Sequence, residues 1–283
     1  MIKLGLIGYP LSHSLSAVIQ TAALKSVNLQ GTYELLETPP ENLVDRVKFL
    51  KTNDYTGFNI TIPLKVPITV FTDSVDEMAN VVGCVNTIKI TPDKKMQGFN
   101  TDVYGFANAI DKYKRMALRD KKAVVLGTGG AARACGIALL KLGLGEIDFY
   151  SRNILNSTDM INFLRGQFPN VKINLKHYNS LENLSDTAMV VNTTPIGMKS
   201  FAMNESLLSV GQLKTLPPEA IVYDIVYNPI ETQLIKDAKK CDLQTINGLD
   251  MLVHQAAKSF EIWTGKVPDF DKMKIAALES LLQ

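Results

Sequence analysis

The stretch VVLGTGGAARA, residues 124–134, joins an apolar strand pattern to an alanine-rich helix pattern through a cluster of glycines. Glycine permits a tight turn and a close approach of the backbone to a ligand. The start of the helix offers free N–H groups and the positive end of the helix dipole to a phosphate. Because the required strand and helix are both in place, Gly127, Gly129 and Gly130 predict a nucleotide phosphate site rather than an ordinary turn.

The same alternation of strands and helices extends in both directions from this turn. On its C-terminal side, the runs EIDFYSR, KINLKHY, MVVNTT and AIVYDIVY read as strands, with helical patterns up to about residue 142 and over 157–168. This pattern predicts a Rossmann-type sheet. On its N-terminal side, short β-rich runs alternate with helical patterns over 16–27, 41–51, 72–80 and 102–114, and 85–101 reads as a hairpin. That rhythm is typical of a mainly parallel sheet covered by helices.

We therefore predict an α/β protein of two domains, an N-terminal α/β substrate domain and a Rossmann-type dinucleotide-binding domain. The predicted boundaries give a substrate-binding catalytic domain of 1–105 plus 240–283. The last two helical patterns return to that domain. The predicted dinucleotide-binding domain covers 106–239, beginning near the charged run YKRMALRDKK. A length of 283 residues suits two domains.

Composition excludes several classes of function. The net charge of +2 gives no basic footprint for nucleic acid, and no apolar run is long enough for a membrane helix. Three cysteines lie far apart without a CxxC pair, and the three histidines lack metal-ligand spacing. We expect no metal, no nucleic-acid or membrane partner, a cytoplasmic location without a signal peptide, and a monomer or homodimer acting on a small molecule.

The end of the next strand after the turn, the second strand of this domain, predicts which dinucleotide binds. NAD-preferring sites usually carry an acidic residue at this end, to bind the ribose 2′-hydroxyl. Here the strand ends in FYSRN, where Ser151, Arg152 and Asn153 can donate hydrogen bonds and Arg152 suits a 2′-phosphate. Asp148 is acidic but lies inside the strand. The sequence therefore favours NADP.

Polar residues recur at strand ends through the first half of the chain. The run GFNITIPLK, residues 57–65, ends in a lysine at the kind of sheet edge where α/β proteins keep their sites. Each polar residue alone has a structural explanation as a helix cap or a turn. Together they describe a pocket rich in hydroxyls and amides with one ammonium, Lys65, and one carboxylate, Asp102. Such a pocket suits a small polyhydroxylated substrate.

A series of motifs in this order resembles the shikimate dehydrogenase family along nearly the whole chain. The motifs are GYPLSHSLS, FNITIPLK, GCVNT, GFNTDVYGF, GTGGAARA, VNTTPIGM, YDIVYNPIETQLI and NGLDMLVHQA. The resemblance implies NADPH-dependent, reversible reduction of 3-dehydroshikimate to shikimate, on the route to chorismate and the aromatic amino acids. It also implies that Lys65 and Asp102 are the catalytic pair. The substrate-binding residues that it implies are Ser14, Ser16, Asn59, Thr61, Asn86, Tyr227 and Gln255.

The resemblance also implies individual roles for these residues and a set of cofactor-binding residues. Ser14 and Ser16 would hold the substrate carboxylate, with Tyr227 near it, and Met251 would lie near the nicotinamide. The cofactor-binding residues that it implies are Gly127, Thr128, Gly129, Gly130, Ala131, Ser151, Arg152, Asn153, Thr193, Gly248 and Met251.

Two alternatives remain at this point. The first is a quinate/shikimate dehydrogenase that uses NAD, because Asn156 stands where the family usually has a second phosphate-binding arginine. The second is a ligand sensor that keeps the fold without turnover. The presence of both Lys65 and Asp102 argues against the sensor.

Overall fold

The protein is α/β, as predicted, in a computed structural model that describes residues 1–282 without the side chains of residues 112 and 113. The strands are β1 Ile2–Gly8, β2 Gly31–Glu37, β3 Gly57–Ile60, β4 Ser74–Val75, β5 Thr87–Ile90, β6 Met96–Phe99, β7 Lys122–Leu126, β8 Glu146–Ser151, β9 Lys172–His177, β10 Thr187–Asn192, β11 Ile221–Asp224 and β12 Gln244–Ile246. The helices are α1 Ser16–Ser26, α2 Leu43–Thr52, α3 Glu77–Val82, α4 Asp102–Ala109, α5 Lys112–Ala117, α6 Gly130–Lys141, α7 Ile154–Gln167, α8 Val210–Leu213, α9 Gln233–Lys240, α10 Gly248–Thr264 and α11 Phe270–Leu281.

The chain divides into two compact units. The first contains Met1–Gly105 and Val253–Gln283, and the second contains Phe106–Leu252. Residues 240–252, placed by the sequence with the first domain, lie in the second unit instead. The physical reason is β12, which pairs in parallel with β11 and so extends the second sheet.

The sheet of the first unit is mixed, in the order β2-β1-β3-β5-β6-β4. The strands β2, β1 and β3 are parallel to one another. β5 pairs antiparallel with β3 on one side and with β6 on the other, and β5 and β6 form the predicted hairpin. The carboxyl ends of β1 and β3 therefore meet at one edge, and the loops after them can bring their side chains together. On one side of the sheet a core of buried residues, including Phe58, Leu64 and Ile68, anchors this edge.

Two predicted helices of the first half differ from the structure. The segment predicted as a helix over 72–80 contains β4, and α3 begins only at Glu77, where the Asp76 side chain accepts a hydrogen bond from the Ala79 backbone N–H at 2.7 Å. This N-cap fixes the helix start. The helix predicted over 102–114 is divided into α4 and α5.

The sheet of the second unit has six parallel strands in the order β12-β11-β10-β7-β8-β9. The strand order reverses between β7 and β10, and ligands of doubly wound sheets bind outside the carboxyl ends of the strands at such a reversal. The glycine turn follows β7 directly, so the sheet places it at this position.

Asp148 is the fully buried centre of an ion-pair network in this sheet. Its carboxylate accepts hydrogen bonds from Lys176 Nζ at 2.7 Å and Asn174 Nδ2 at 2.6 Å, and Lys122 Nζ lies 3.0 Å away. Burial raises the pKa of Asp148, but the hydrogen bonds from these partners outweigh it and hold the pKa below its usual value. Asp148 thus stabilises the sheet and has no carboxylate oxygen to offer a ribose.

We expect Asp148→Asn to lower the free energy of unfolding at pH 7 by about 3 kcal/mol, because the buried amide gives Lys122 and Lys176 no negative charge and keeps only one acceptor oxygen. A carboxylate whose folded-state pKa is depressed stabilises the protein above its unfolded pKa, and this contribution is lost as the pH falls. The difference between variant and wild type should therefore shrink below about pH 4. Urea unfolding of the variant and the wild type, at pH 7 and at lower pH, measures this difference.

The matched control is Asp186→Asn, which removes an exposed partner of the same Lys122. Exposed ion pairs contribute roughly 0–1 kcal/mol, so this control should differ little from wild type. Equal losses in the two variants would contradict the structural role of Asp148.

Candidate active site

Lys65 and Asp102 lie side by side in the first unit. Lys65 follows the end of β3, and Asp102 is the first residue of α4. Lys65 Nζ lies 2.6 Å from Asp102 Oδ2, and the two side chains are 22% and 10% exposed. The structure therefore brings the predicted catalytic pair together in a place that solvent still reaches. Their catalytic role remains a prediction.

The Asp102 carboxylate is held in one orientation. Its Oδ2 faces Lys65, and its Oδ1 accepts a hydrogen bond from Asn86 Nδ2 at 2.8 Å. The backbone N–H of Asp102 donates to Asn100 Oδ1 at 3.1 Å, and the start of α4 favours a negative charge. A fixed ammonium beside a fixed carboxylate can give a proton to an oxygen that gains negative charge, and can take it back in the reverse reaction.

The predicted hydroxyl groups Ser14, Ser16 and Thr61 follow the neighbouring strands β1 and β3. All three residues are half-buried. Ser14 Oγ accepts the Ser16 backbone N–H at 3.3 Å. A Cβ atom on Gly8 would lie 2.3 Å from Thr61 Cγ2, so glycine at the end of β1 lets the two chain segments approach this closely. The edge thus presents hydroxyl groups without charge.

Asn59 and Asn86 are buried, and their amides are used inside the protein. The Tyr33 hydroxyl donates to Asn59 Oδ1 at 2.9 Å, and Asn59 Nδ2 lies within 3.0 Å of Thr87 Oγ1 and Ser259 Oγ. Asn86 Nδ2 donates to Asp102, as described above. These contacts occupy most of the hydrogen-bonding capacity of both amides. Their direct contact with a substrate therefore remains a prediction.

Gln255 lies on α10 and is half-buried. Its Oε1 accepts a hydrogen bond from the Thr101 hydroxyl at 3.3 Å, and its backbone carbonyl accepts one from the Ser259 hydroxyl at 2.9 Å. The C-terminal part of α10 thereby contributes to the first unit. Ser259 and Tyr33 were absent from the residues that the sequence predicted.

The glycine turn after β7 has the geometry that a phosphate site needs. Gly127 has a φ angle of +110°, and a Cβ atom there would lie 2.6 Å from Thr193 Oγ1. Gly129 precedes the first residue of α6, and a Cβ atom on Gly129 or Gly130 would contact nothing within 4 Å. Ala131 follows in the first turn of α6. Open space over free helix N–H groups fits a pyrophosphate.

The next loop is tied to this turn by hydroxyl groups. Thr128 Oγ1 lies 2.7 Å from Ser157 Oγ and donates to Ser151 Oγ at 3.2 Å. Ser151 is buried and accepts the Asn153 backbone N–H at 3.1 Å, while Asn153 caps α7. Ser151 and Asn153 thus shape the loop, and their predicted contacts with the cofactor remain predictions.

Arg152 differs from the buried Ser151 because its side chain is exposed just after the end of β8. Its positive charge acts on Tyr178, where it offsets part of the rise in pKa, to about 12, that burial causes. Asn156 is also exposed, in the first turn of α7. A guanidinium at this strand end fits a 2′-phosphate.

Three predicted residues of the second unit follow β11 or lie at the start of α10. A Cβ atom on Gly248 would lie 2.0 Å from the Ile225 carbonyl oxygen, so only glycine fits there. Met251 is 8% exposed, and burial raises the pKa of Tyr227. The roles of Tyr227 at the substrate carboxylate, and of Gly248 and Met251 at the cofactor, remain predictions.

Residues 1–282 contain no cluster of three His, Cys, Asp or Glu side chains that could hold a metal ion. Within the same range, no helix is long and apolar enough to cross a bilayer.

A doubly wound sheet with a glycine turn, in a chain whose other unit pairs a lysine with an aspartate, defines a dinucleotide-dependent oxidoreductase of two α/β domains.

Comparisons with known proteins extend this class to a family. Residues 6–88 match the shikimate dehydrogenase substrate binding domain, and residues 248–278 match the shikimate 5′-dehydrogenase C-terminal domain. A shikimate dehydrogenase (NADP(+)) of Methanococcus maripaludis is 36% identical over 98% of this chain and 97% of its own. The chain therefore belongs to the shikimate dehydrogenase family.

Solved structures agree with this result. Shikimate 5-dehydrogenase of Thermus thermophilus, in complex with NADP(H) and shikimate, has a TM-score of 0.85 and 32% identity, covering 99% of this chain and 100% of that one. Quinate dehydrogenase of Corynebacterium glutamicum, in complex with NAD, has a TM-score of 0.89 and 27% identity, covering 98% and 99%.

Proposed function

We propose that the protein catalyses the reversible, NADP-dependent reduction of 3-dehydroshikimate to shikimate, on the route to chorismate and the aromatic amino acids. Family membership supports the reaction, and one observation in this chain carries it: the contact of 2.6 Å between Lys65 Nζ and Asp102 Oδ2. That contact supplies the proton donor that reduction of a ketone needs.

The proton balance assigns a role to each member of the pair. NADPH supplies the hydride when it is bound. Addition of a hydride to the ketone carbon leaves an alkoxide, so the carbonyl oxygen must gain one proton. The Lys65 ammonium donates that proton, Asp102 remains ionised and orients Nζ, and solvent then restores the proton on Lys65. In the oxidation of shikimate, the neutral Lys65 amine accepts the hydroxyl proton.

Recognition of the substrate relies on uncharged donors. Ser14 donates its hydroxyl hydrogen to the carboxylate, and Ser16 turns its own from Tyr33 to that carboxylate when the substrate binds. Thr61 and Gln255 bind ring hydroxyls. Asn59 and Asn86 bind ring hydroxyls with the hydrogen-bonding capacity that the buried contacts described above leave to them. A site built from such donors distinguishes substrates by single hydroxyl groups, because a missing partner leaves a polar group unpaired.

Recognition of the cofactor divides between two elements. The turn from Gly127 to Ala131 would hold the pyrophosphate with backbone N–H groups, and Arg152 would pair with the 2′-phosphate. The open space over Gly129 and Gly130 and the exposure of Arg152 support this fit.

Initial rates of shikimate oxidation, with NADP⁺ and NAD⁺ in parallel and quinate as the second substrate, test the proposal. We expect kcat/KM for shikimate to be about tenfold higher with NADP⁺ than with NAD⁺, a difference of about 1.4 kcal/mol. We expect quinate to be a poor substrate. Equal use of both cofactors or rapid oxidation of quinate would place the protein with the quinate/shikimate dehydrogenases instead. The absence of any turnover would support the ligand sensor.

We further propose that the protein acts in the cytoplasm as a monomer or homodimer. Cys84, Cys135 and Cys241 are thiols rather than disulfides, which supports a reducing compartment. Light scattering on the purified protein would decide between the two assembly states, and a larger assembly would contradict both.

A further inference from the structure

A line of hydrogen bonds runs through the core of the first unit to the Asp102 carboxylate. The Tyr33 hydroxyl donates to Asn59 Oδ1 at 2.9 Å, and Asn59 Nδ2 donates to Thr87 Oγ1 at 3.0 Å. The Thr87 hydroxyl donates to Asn86 Oδ1 at 3.0 Å, and Asn86 Nδ2 donates to Asp102 Oδ1 at 2.8 Å. We call these five residues the donor line, because every bond in it points toward Asp102.

Backbone groups fix the direction of both amides in the donor line. Asn59 Nδ2 lies 3.2 Å from the Asn86 carbonyl oxygen, which can only accept, so Asn59 Oδ1 must face Tyr33. Asn86 Oδ1 accepts the Thr101 backbone N–H at 2.9 Å, which can only donate, so Asn86 Nδ2 must face Asp102. Neither amide can turn over without losing a buried hydrogen bond.

Tyr33 begins the donor line as a permanent donor. Burial raises the pKa of Tyr33 well above its usual value, and a hydrogen bond from the Ser16 hydroxyl offsets only part of this rise. Tyr33 is 8% exposed, and its ring lies 6.4 Å from that of Trp263. The phenol therefore stays protonated and cannot change its role with pH.

We propose that Tyr33 is a positioning residue for the reaction, because its hydrogen bond to Asn59 strengthens the bonds that follow through Thr87 and Asn86 to the carboxylate that holds Lys65. This inference rests on the proposed function, since the reaction provides its main readout. Hydrogen bonds in a chain of this kind polarise one another in a buried environment. Loss of the first donor weakens the polarisation, and so the strength, of each bond after it, as far as Asp102.

The test compares Tyr33→Phe with Tyr55→Phe. Each change removes one hydroxyl from a buried tyrosine of the first unit, but the Tyr55 hydroxyl donates to Glu34 at 2.9 Å, away from the donor line. We expect Tyr33→Phe to lower kcat for shikimate oxidation about five- to tenfold, as the loss of one net hydrogen bond predicts. KM for shikimate should change less than kcat, because Ser16 loses its contact with the Tyr33 hydroxyl but keeps its own hydroxyl group. Tyr55→Phe should leave kcat unchanged. An unchanged kcat in Tyr33→Phe, or an equal fall in both variants, overturns the proposal.

A second pair of variants tests whether the effect passes along the donor line. Thr87→Val removes the hydroxyl and keeps the shape, whereas Thr87→Ser keeps the hydroxyl. We expect Thr87→Val to lower kcat and Thr87→Ser to restore most of it. We also expect the double variant Tyr33→Phe/Thr87→Val to be no slower than Thr87→Val alone, because residues in one network are not additive. Multiplicative effects would show that Tyr33 and Thr87 act separately.

A readout without turnover separates this inference from the proposed reaction. In nuclear magnetic resonance spectra, the side-chain amide hydrogens of Asn86 should exchange with solvent faster in Tyr33→Phe than in Tyr55→Phe. Wild-type protein that fails to oxidise shikimate contradicts the proposed function alone. Equal exchange at Asn86 in the two variants contradicts the donor line, whatever the wild type oxidises.

Discussion

Replacing Lys65 by methionine is expected to lower kcat for shikimate oxidation about a thousandfold, within the range that general acid–base catalysis contributes. Methionine keeps the length of the side chain but can neither give nor take a proton. Asp102 would then lack the ammonium that lies 2.6 Å from its Oδ2. Because Lys65 acts on the reacting oxygen, we expect KM for shikimate to change much less than kcat. Steady-state rates at saturating NADP⁺ measure both constants.

Lys89→Met is the matched control for this prediction. Lys89 is another half-buried lysine of the first unit, and its Nζ donates to the Ile262 carbonyl oxygen at 2.8 Å. Its replacement should leave kcat within about twofold of wild type, since it removes a structural hydrogen bond only. If Lys65→Met retained a tenth or more of wild-type kcat, Lys65 would not be the proton donor.

The second large effect concerns the choice of cofactor. We expect Arg152→Gln to lower kcat/KM for NADP⁺ about 10- to 100-fold, because a hydrogen bond to a charged group contributes roughly 1.5–3 kcal/mol. The value for NAD⁺ should not change, since NAD lacks the 2′-phosphate. Initial rates with each cofactor at saturating shikimate give the two ratios.

Arg165→Gln controls for the loss of a positive charge from the second unit. Arg165 is exposed on α7, and its Nε donates to the Ile173 carbonyl oxygen at 2.9 Å. Replacing Arg165 by glutamine should not alter the ratio of kcat/KM for NADP⁺ to kcat/KM for NAD⁺. A parallel fall for NADP⁺ and NAD⁺ in Arg152→Gln would mean that Arg152 stabilises the loop and does not select the phosphate.

The sequence predicted the second unit well because parallel strands buried on both faces leave long apolar runs, and the turn after β7 needs glycine for geometric reasons. It failed at β12, whose three residues, Gln244–Ile246, are too few to show a periodicity. The boundary predicted at residue 240 was misplaced for the same reason.

In the candidate site, the charged residues were easier to predict than the uncharged residues that hydrogen-bond around them. Lys65 and Asp102 stand out because each is a charged residue within five residues of the end of a strand, β3 and β6 respectively. Tyr33 lies in the run GTYELLE, where a tyrosine looks like any strand residue, and Ser259 lies on a helix 200 residues from Asn59. Only the folded chain shows that these hydroxyl groups meet.

The division of the first unit into two distant segments has a consequence during synthesis. Ser259 and Trp263, whose indole N–H donates to the Ile88 carbonyl oxygen at 2.8 Å, both belong to the second segment. At the rate of protein synthesis, roughly 7 to 30 s pass between the addition of Gly105 to the growing chain and that of Val253. The N-terminal segment of the first unit is therefore synthesised first, but its packing is completed last. Until the second segment has been synthesised, the side of β3 and β5 that it contacts stays uncovered.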